Sequence, residues 1–153
     1  MKKPFIILIS IILIIAAAAG CSKSEMPFNG KISFHDISLE IPDDYIRDST
    51  QSSEDFWVFE KGNYKKYILI SRMANEGAGE KALDYYSGAM SQTGADVSTG
   101  TLNGINCVFS EYTKDGEYCR EVYFVYKDNN YAIALRGGNE NDFTGLINTI
   151  NPD

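Results

Sequence analysis

Histidine is almost missing from this sequence: His35 is the only one in 153 residues. A zinc site built on paired histidines is thereby excluded, and any Ser-His-Asp set would rest wholly on that residue. Cysteine is nearly as scarce, with Cys21, Cys107 and Cys119 alone, so no closely spaced pair exists to ligate a metal. The glycine patterns that cradle phosphates are absent too. Gly77 and Gly79 precede a predicted helix, but no GxGxxG and no phosphate-loop lysine accompanies them, and Glu76 and Glu80 would repel a phosphate. No Gly-x-Ser-x-Gly elbow occurs. Positive charge is in deficit, 14 Lys and Arg against 21 Asp and Glu, for a net charge of -7. An acidic surface repels phosphodiester backbones and anionic lipid heads, which argues against nucleic acid as a partner.

One long apolar run is present, at the N-terminus. Lys2 and Lys3 give it a positive start, Phe5 to Ile15 an apolar centre, and Ala16 to Gly20 a small-residue end, the order of a secretory signal. Ala18-Ala19-Gly20-Cys21 resembles the lipobox of bacterial lipoproteins, departing from it at Ala18, where those proteins usually carry Leu. The resemblance implies cleavage before Cys21 and lipidation of its thiol, so that the chain is held to the membrane from outside the cytoplasm. A plain membrane anchor is the competing reading, but Pro4 to Gly20 is short of the about 20 apolar residues a span requires. Ordinary cleavage after an Ala-x-Ala pattern is another. Removing residues 1–20 takes away Lys2 and Lys3 and leaves a balance of 12 minus 21, or -9. Residues 21–27 then form a short tether and 28–153 one globular domain. Ten Tyr, eight Phe and one Trp give that domain ample material for a core.

Periodicity defines its elements. Ile32, Phe34, Ile37, Leu39 and Ile41 alternate as a strand interrupted at His35-Asp36 by a bulge or turn, which Pro42-Asp43-Asp44 should end. Phe56 to Phe59 and Tyr67 to Met73 read as two strands joined through Lys61-Gly62-Asn63. Ala82, Leu83, Tyr86, Ala89 and Met90 recur at helical spacing, with Gly94 as a stop. Asn103-Gly104 and Asp115-Gly116 are favoured two-residue hairpin loops. Asn129-Asn130 is taken as a third. The Asp115-Gly116 register sets Cys107 opposite Phe124 and Cys119 opposite Tyr112, too far apart and on the wrong faces for a disulfide, so both are expected as free thiols. Phe143, Leu146, Ile147 and Ile150 form a closing amphipathic helix. The class is α+β, an antiparallel sheet packed by helices.

Ile37-Ser38-Leu39-Glu40-Ile41-Pro42 followed by Tyr45, the mid-chain Asn103-Gly104 hairpin and the final Phe-x-x-Leu-Ile-x-x-Ile helix resemble PsbP-like domains, including DcrB-like lipoproteins. The resemblance covers about residues 28–150. It implies a PsbP-like α/β sandwich and a binding or assembly role. It transfers no catalytic residue and no cofactor.

The residues themselves offer little chemistry. His35 reads as an ordinary strand residue. Asp43-Asp44 with Asp48, and Asn139 to Asp142, carry oxygens but lack the calcium-loop pattern, and read as a turn and a helix cap. One sheet face should hold Cys107, Phe109, Val122, Phe124, Tyr126, Ile133 and Leu135. The opposite face gathers Ser110, Tyr112, Cys119, Glu121, Tyr123 and Arg136. Tyr112, Tyr123 and Arg136, with Arg136 set opposite Tyr123, are the candidate contacts to an envelope protein or small ligand if that face is open. If a helix covers it, the tyrosines are core. No catalytic, cofactor or metal residue is assigned, and the expected role is non-catalytic. A carboxylate-dependent hydrolase and a purely structural envelope protein stand as alternatives.

Cys21→Ser should abolish acylation. Wild type is expected in the detergent phase on partitioning and the variant in the aqueous phase; equal partitioning would mean that something else anchors the chain.

Overall fold

The computed structural model describes residues 27–62, 65–75 and 77–153. The leader over 1–20, Cys21 and the tether up to residue 26 lie outside the described residues, as do Asn63 and Glu76. In chain order the elements are β1 (Pro27–Phe34), β2 (Ile37–Arg47), β3 (Phe56–Lys61), β4 (Lys66–Ala74), α1 (Lys81–Gln92), β5 (Asp96–Leu102), β6 (Ile105–Lys114), β7 (Glu117–Tyr126), β8 (Asn129–Arg136), α2 (Glu140–Ile147) and the short β9 (Asn151–Pro152).

Every strand pairing is antiparallel, in the order β1-β2-β3-β4-β8-β7-β6-β5. The last strand, β9, pairs with the start of β2. The class is therefore the expected one, a sheet with a helix on each face. Both Gly-containing hairpins form in the predicted register, with Leu102 opposite Ile105 and Lys114 opposite Glu117. Asn103 and Gly104 have φ of 48° and 83°, and Asp115 and Gly116 have 54° and 80°. Two successive positive φ values are what a type I′ loop requires.

Of the two readings at His35-Asp36 the structure takes the turn, and two other local expectations are corrected. His35 (φ 54°) and Asp36 are a two-residue loop that splits the first pattern into β1 and β2, with Phe34 opposite Ile37. The second strand does not stop at Pro42: it continues to Arg47, because Pro42, Asp43 and Asp44 (φ 69°) form a bulge within β2 itself, three residues set against the single one between Phe28 and Gly30 on β1. The third hairpin turns at Lys127-Asp128 (φ 44° and 58°), so Phe124 faces Tyr131 and not Leu135. That register stacks the Phe124 and Tyr131 rings at 5.4 Å. Each partner moves by four positions, an even number, so no side chain changes face.

The first face is the main core. Phe59, Ile68, Ile70, Cys107, Val122, Phe124, Tyr131, Ile133 and Leu135 pack there with Ile32, Phe34, Leu39 and Ile41 of the first hairpin and with Phe143, Leu146 and Ile150. Helix α2 starts on a capping box, Asn139 Oδ1 accepting from the Asp142 N–H and the Asp142 carboxylate from the Asn139 N–H. On the second face, Ala82, Tyr86 and Met90 of α1 lie on Val108, Tyr123 and Ala132. The entry to α1 is fixed by buried Asn75, whose side chain donates to Asn130 Oδ1 at 2.6 Å and accepts from the Gly79 N–H. At its exit Gly94 takes φ 83°, the left-handed conformation that ends helices. Cys107 and Cys119 are buried free thiols, as the register requires.

Candidate functional site

The sheet's second face carries the chemistry, and α1 closes it. Glu121 lies near the middle of β7, pointing toward the helix, and is 2% exposed. It sits there because strand alternation puts it on the same face as Cys119 and Tyr123, while Val122 and Phe124 point into the main core. Two phenols reach its carboxylate. Tyr86 of α1 donates to Oε2 and Tyr112 of β6 to Oε1, each at 2.7 Å. Ser110 Oγ lies 3.0 Å from the Tyr86 hydroxyl. The Tyr86 ring stacks on Tyr123 at 4.4 Å and 5°, a contact contributing about 0.5–1.5 kcal/mol beyond burial.

Burial pushes the Glu121 carboxyl above its ordinary value, and the two phenol hydrogen bonds only partly oppose this. Tyr86 and Tyr112 are raised as well, first by burial and then by the Glu121 charge, so both keep their protons. Asp48 shows the opposite balance. Burial raises it, but donors outweigh that effect and hold it below the usual range: Thr50 N–H at 2.9 Å, Thr50 Oγ1 at 2.6 Å, Gln51 N–H at 3.2 Å and Gln51 Nε2 at 2.7 Å. Asp48 caps the turn after β2; Glu121 ties a helix to a sheet.

The expected contact residues are thus mostly internal. Tyr123 is 0% exposed beneath Tyr86. Tyr112 is half-buried and committed to Glu121. Arg136 is half-buried, 3.2 Å from Asp115, and pairs across the ladder with Cys119 and Tyr67, with Ala132 taking the place opposite Tyr123. The face assignment holds, but the open surface that the partner-contact expectation required is covered by α1. The sequence carried a signal for this: the Ala82-Tyr86-Met90 stripe needed an apolar face, and α2 already had the other one.

A second polar group lies at the first hairpin. His35 Nε2 is 3.1 Å from Asp55 Oδ1 and 3.0 Å from the Glu54 carbonyl, and Arg72 Nε donates to the same Asp55 oxygen at 2.9 Å. Tyr131 donates to Asp36 Oδ2 at 3.0 Å. A His-Asp pair can orient a general base, but among the described residues no hydroxyl or thiol is hydrogen-bonded to this ring. The Cys107 thiol is pushed up to about 11 by burial, which keeps it protonated near neutrality. Among the described residues no group of three or more His, Cys, Asp or Glu is placed to hold a metal ion.

The fold disfavours ionised Glu121, so its contribution to stability is full below the ordinary value of 4.5 and is lost as pH rises through its raised folded value. Glu121→Gln should flatten that part of the stability-pH curve. Tyr86→Phe should cost about 1–3 kcal/mol in denaturant melts by leaving Glu121 and Ser110 short of a partner. An unchanged pH slope in Glu121→Gln would mean the carboxyl is not desolvated.

No family model and no curated protein matches the sequence. Solved structures do match the fold. A protein from Bacteroides thetaiotaomicron superposes with a TM-score of 0.57 at 15% identity over 82% of this chain, which spans about half (49%) of that protein. Cyanobacterial PsbP (CyanoP) from Synechocystis superposes with a TM-score of 0.55 at 9% identity, over 88% of this chain and 98% of its own. At such identities the likeness concerns architecture alone. The antiparallel sheet with one helix on each face is accordingly a PsbP-like α+β sandwich.

Proposed function

We propose that this chain is a membrane-tethered binding or assembly module of the bacterial envelope, without catalytic turnover. The observation that carries the reading is the state of Glu121. A carboxyl perturbed by burial is a marker of active sites, yet this one is bonded by two phenols and sealed beneath α1, where no substrate reaches it. The His35-Asp55 pair is joined by Arg72 and has no nucleophile beside it. The PsbP-like fold fits a non-catalytic module at this coarse level.

The tether reading rests on the sequence, where Cys21 follows the small-residue run Ala18-Ala19-Gly20. Among the described residues no helix is long and apolar enough to cross a membrane, and two acyl chains would suffice to hold the domain. The acidic surface then keeps the body off anionic lipid heads and free to meet a partner.

Complementation of a deletion strain tests this reading. His35→Ala and Glu121→Gln should each restore the wild-type phenotype as long as the melting temperature is preserved, whereas Cys21→Ser should not. Loss of function in His35→Ala at unchanged melting temperature would point to an enzyme.

A further inference from the structure

The sheet has two outer strands, and they are not treated alike. A sheet edge exposes unpaired N–H and C=O groups, which proteins usually blunt with proline, bulges or outward lysines. The β1 edge carries two of these devices, since Pro27 brings no N–H and Lys31 is exposed, and its ladder is interrupted besides by the bulge of β2 opposite the Phe28–Gly30 step. The β5 edge, Asp96–Leu102, carries none. Its seven residues pair with β6 in one unbroken register from Asp96 opposite Glu111 to Leu102 opposite Ile105, and among the described residues nothing pairs with its outer side.

The outward groups can be assigned. A two-residue hairpin loop is closed by a pair that exchanges both backbone hydrogen bonds, here Leu102 and Ile105, and such pairs alternate along an antiparallel ladder. Leu102, Gly100, Ser98 and Asp96 therefore turn their backbone groups toward β6. Val97, Thr99 and Thr101 turn theirs outward.

The geometry points to self-pairing of β5 with a second copy of this chain, antiparallel and centred on Thr99. A two-fold axis perpendicular to a continuous sheet brings together only residues of the same face, and Thr99 is the middle of the seven, so that axis uses the whole strand. Thr99 meets its own copy as a hydrogen-bonded pair, and Val97 meets Thr101. β-branched residues favour such cross-strand positions. The strand's one charge, Asp96, meets Leu102, so no like charges are opposed across the seam. An edge that selects a foreign peptide offers pockets for its alternate side chains, whereas Thr99 and Thr101 present small exposed side chains. Self-complementarity of this kind is the mark of a two-fold interface.

Oxidative cross-linking of single-cysteine substitutions in the full chain, in membranes, tests the pairing. Thr99→Cys should give a disulfide-linked dimer, since Cα atoms of a hydrogen-bonded pair lie about 5.5 Å apart, within disulfide reach. Thr101→Cys should stay at the level of the parent chain, because its own symmetry mate lies about 13 Å away at about 3.3 Å per residue. Val97→Cys with Thr101→Cys should cross-link again. Thr99→Lys, which sets two ammonium groups against each other, should abolish the dimer formed by that cysteine pair. Raising salt should increase the yield, because two copies without residues 1–20, each with a balance of 12 minus 21, or -9, repel. A Thr99→Cys yield no higher than that of the parent or of Thr101→Cys overturns the proposal, and so does a cross-link to other proteins only.

Discussion

The attachment of α1 to the sheet depends on one buried carboxylate. Glu121 accepts from Tyr86 of the helix and Tyr112 of the neighbouring strand, and the Tyr86 ring lies flat on Tyr123. This arrangement joins a polar bond to an apolar contact through a single side chain. Removing a partner from such a site is costly because the group left behind is cut off from water. The same arrangement decides the function of the face. A sheet surface rich in Tyr and Arg has the composition of a binding patch, but here the phenols are engaged with the interior.

The contrast with Asp48 shows how the number of donors controls a buried carboxyl. Thr50 and Gln51 each supply a backbone N–H and a side-chain donor, and the charge is held easily. Glu121 has two phenols and a closed lid, and burial prevails. The first arrangement favours the ionised form and the second resists it. The two side chains should therefore influence stability in opposite directions as pH falls, Asp48 weakening the fold and Glu121 strengthening it.

Much of the fold was legible in the sequence. The two Gly-containing loops specified their registers outright, because only a few residue pairs accept two positive φ values in succession. From Asp115-Gly116 alone the pairing of Cys107 with Phe124, and hence the free thiols, follows. What local signals missed was settled by tertiary contacts. Asn129-Asn130 is a good loop pair in isolation, but Asn130 is needed inside the ladder to receive Asn75, and Tyr131 to stack on Phe124. The turn moved to Lys127-Asp128 instead. Pro42 ordinarily ends a strand; here Pro42, Asp43 and Asp44 bulge out of β2, which then runs on beside β1. For the candidate site, alternation placed Glu121, Tyr123 and Tyr112 on one face correctly. That the face is covered was signalled only indirectly, by the Ala82-Tyr86-Met90 stripe that needed an apolar surface; where α1 docks on it is set by long-range packing.

The most direct measurement is a carboxyl-carbon NMR titration of Glu121 in the folded protein, with the Tyr86 and Tyr112 ring signals followed in parallel. A midpoint above 4.5, with both rings shifting in the same transition, is the predicted result. A midpoint at or below 4.5, or tyrosine signals that ignore the titration, would show that Glu121 is solvated and that something else holds the helix to the sheet.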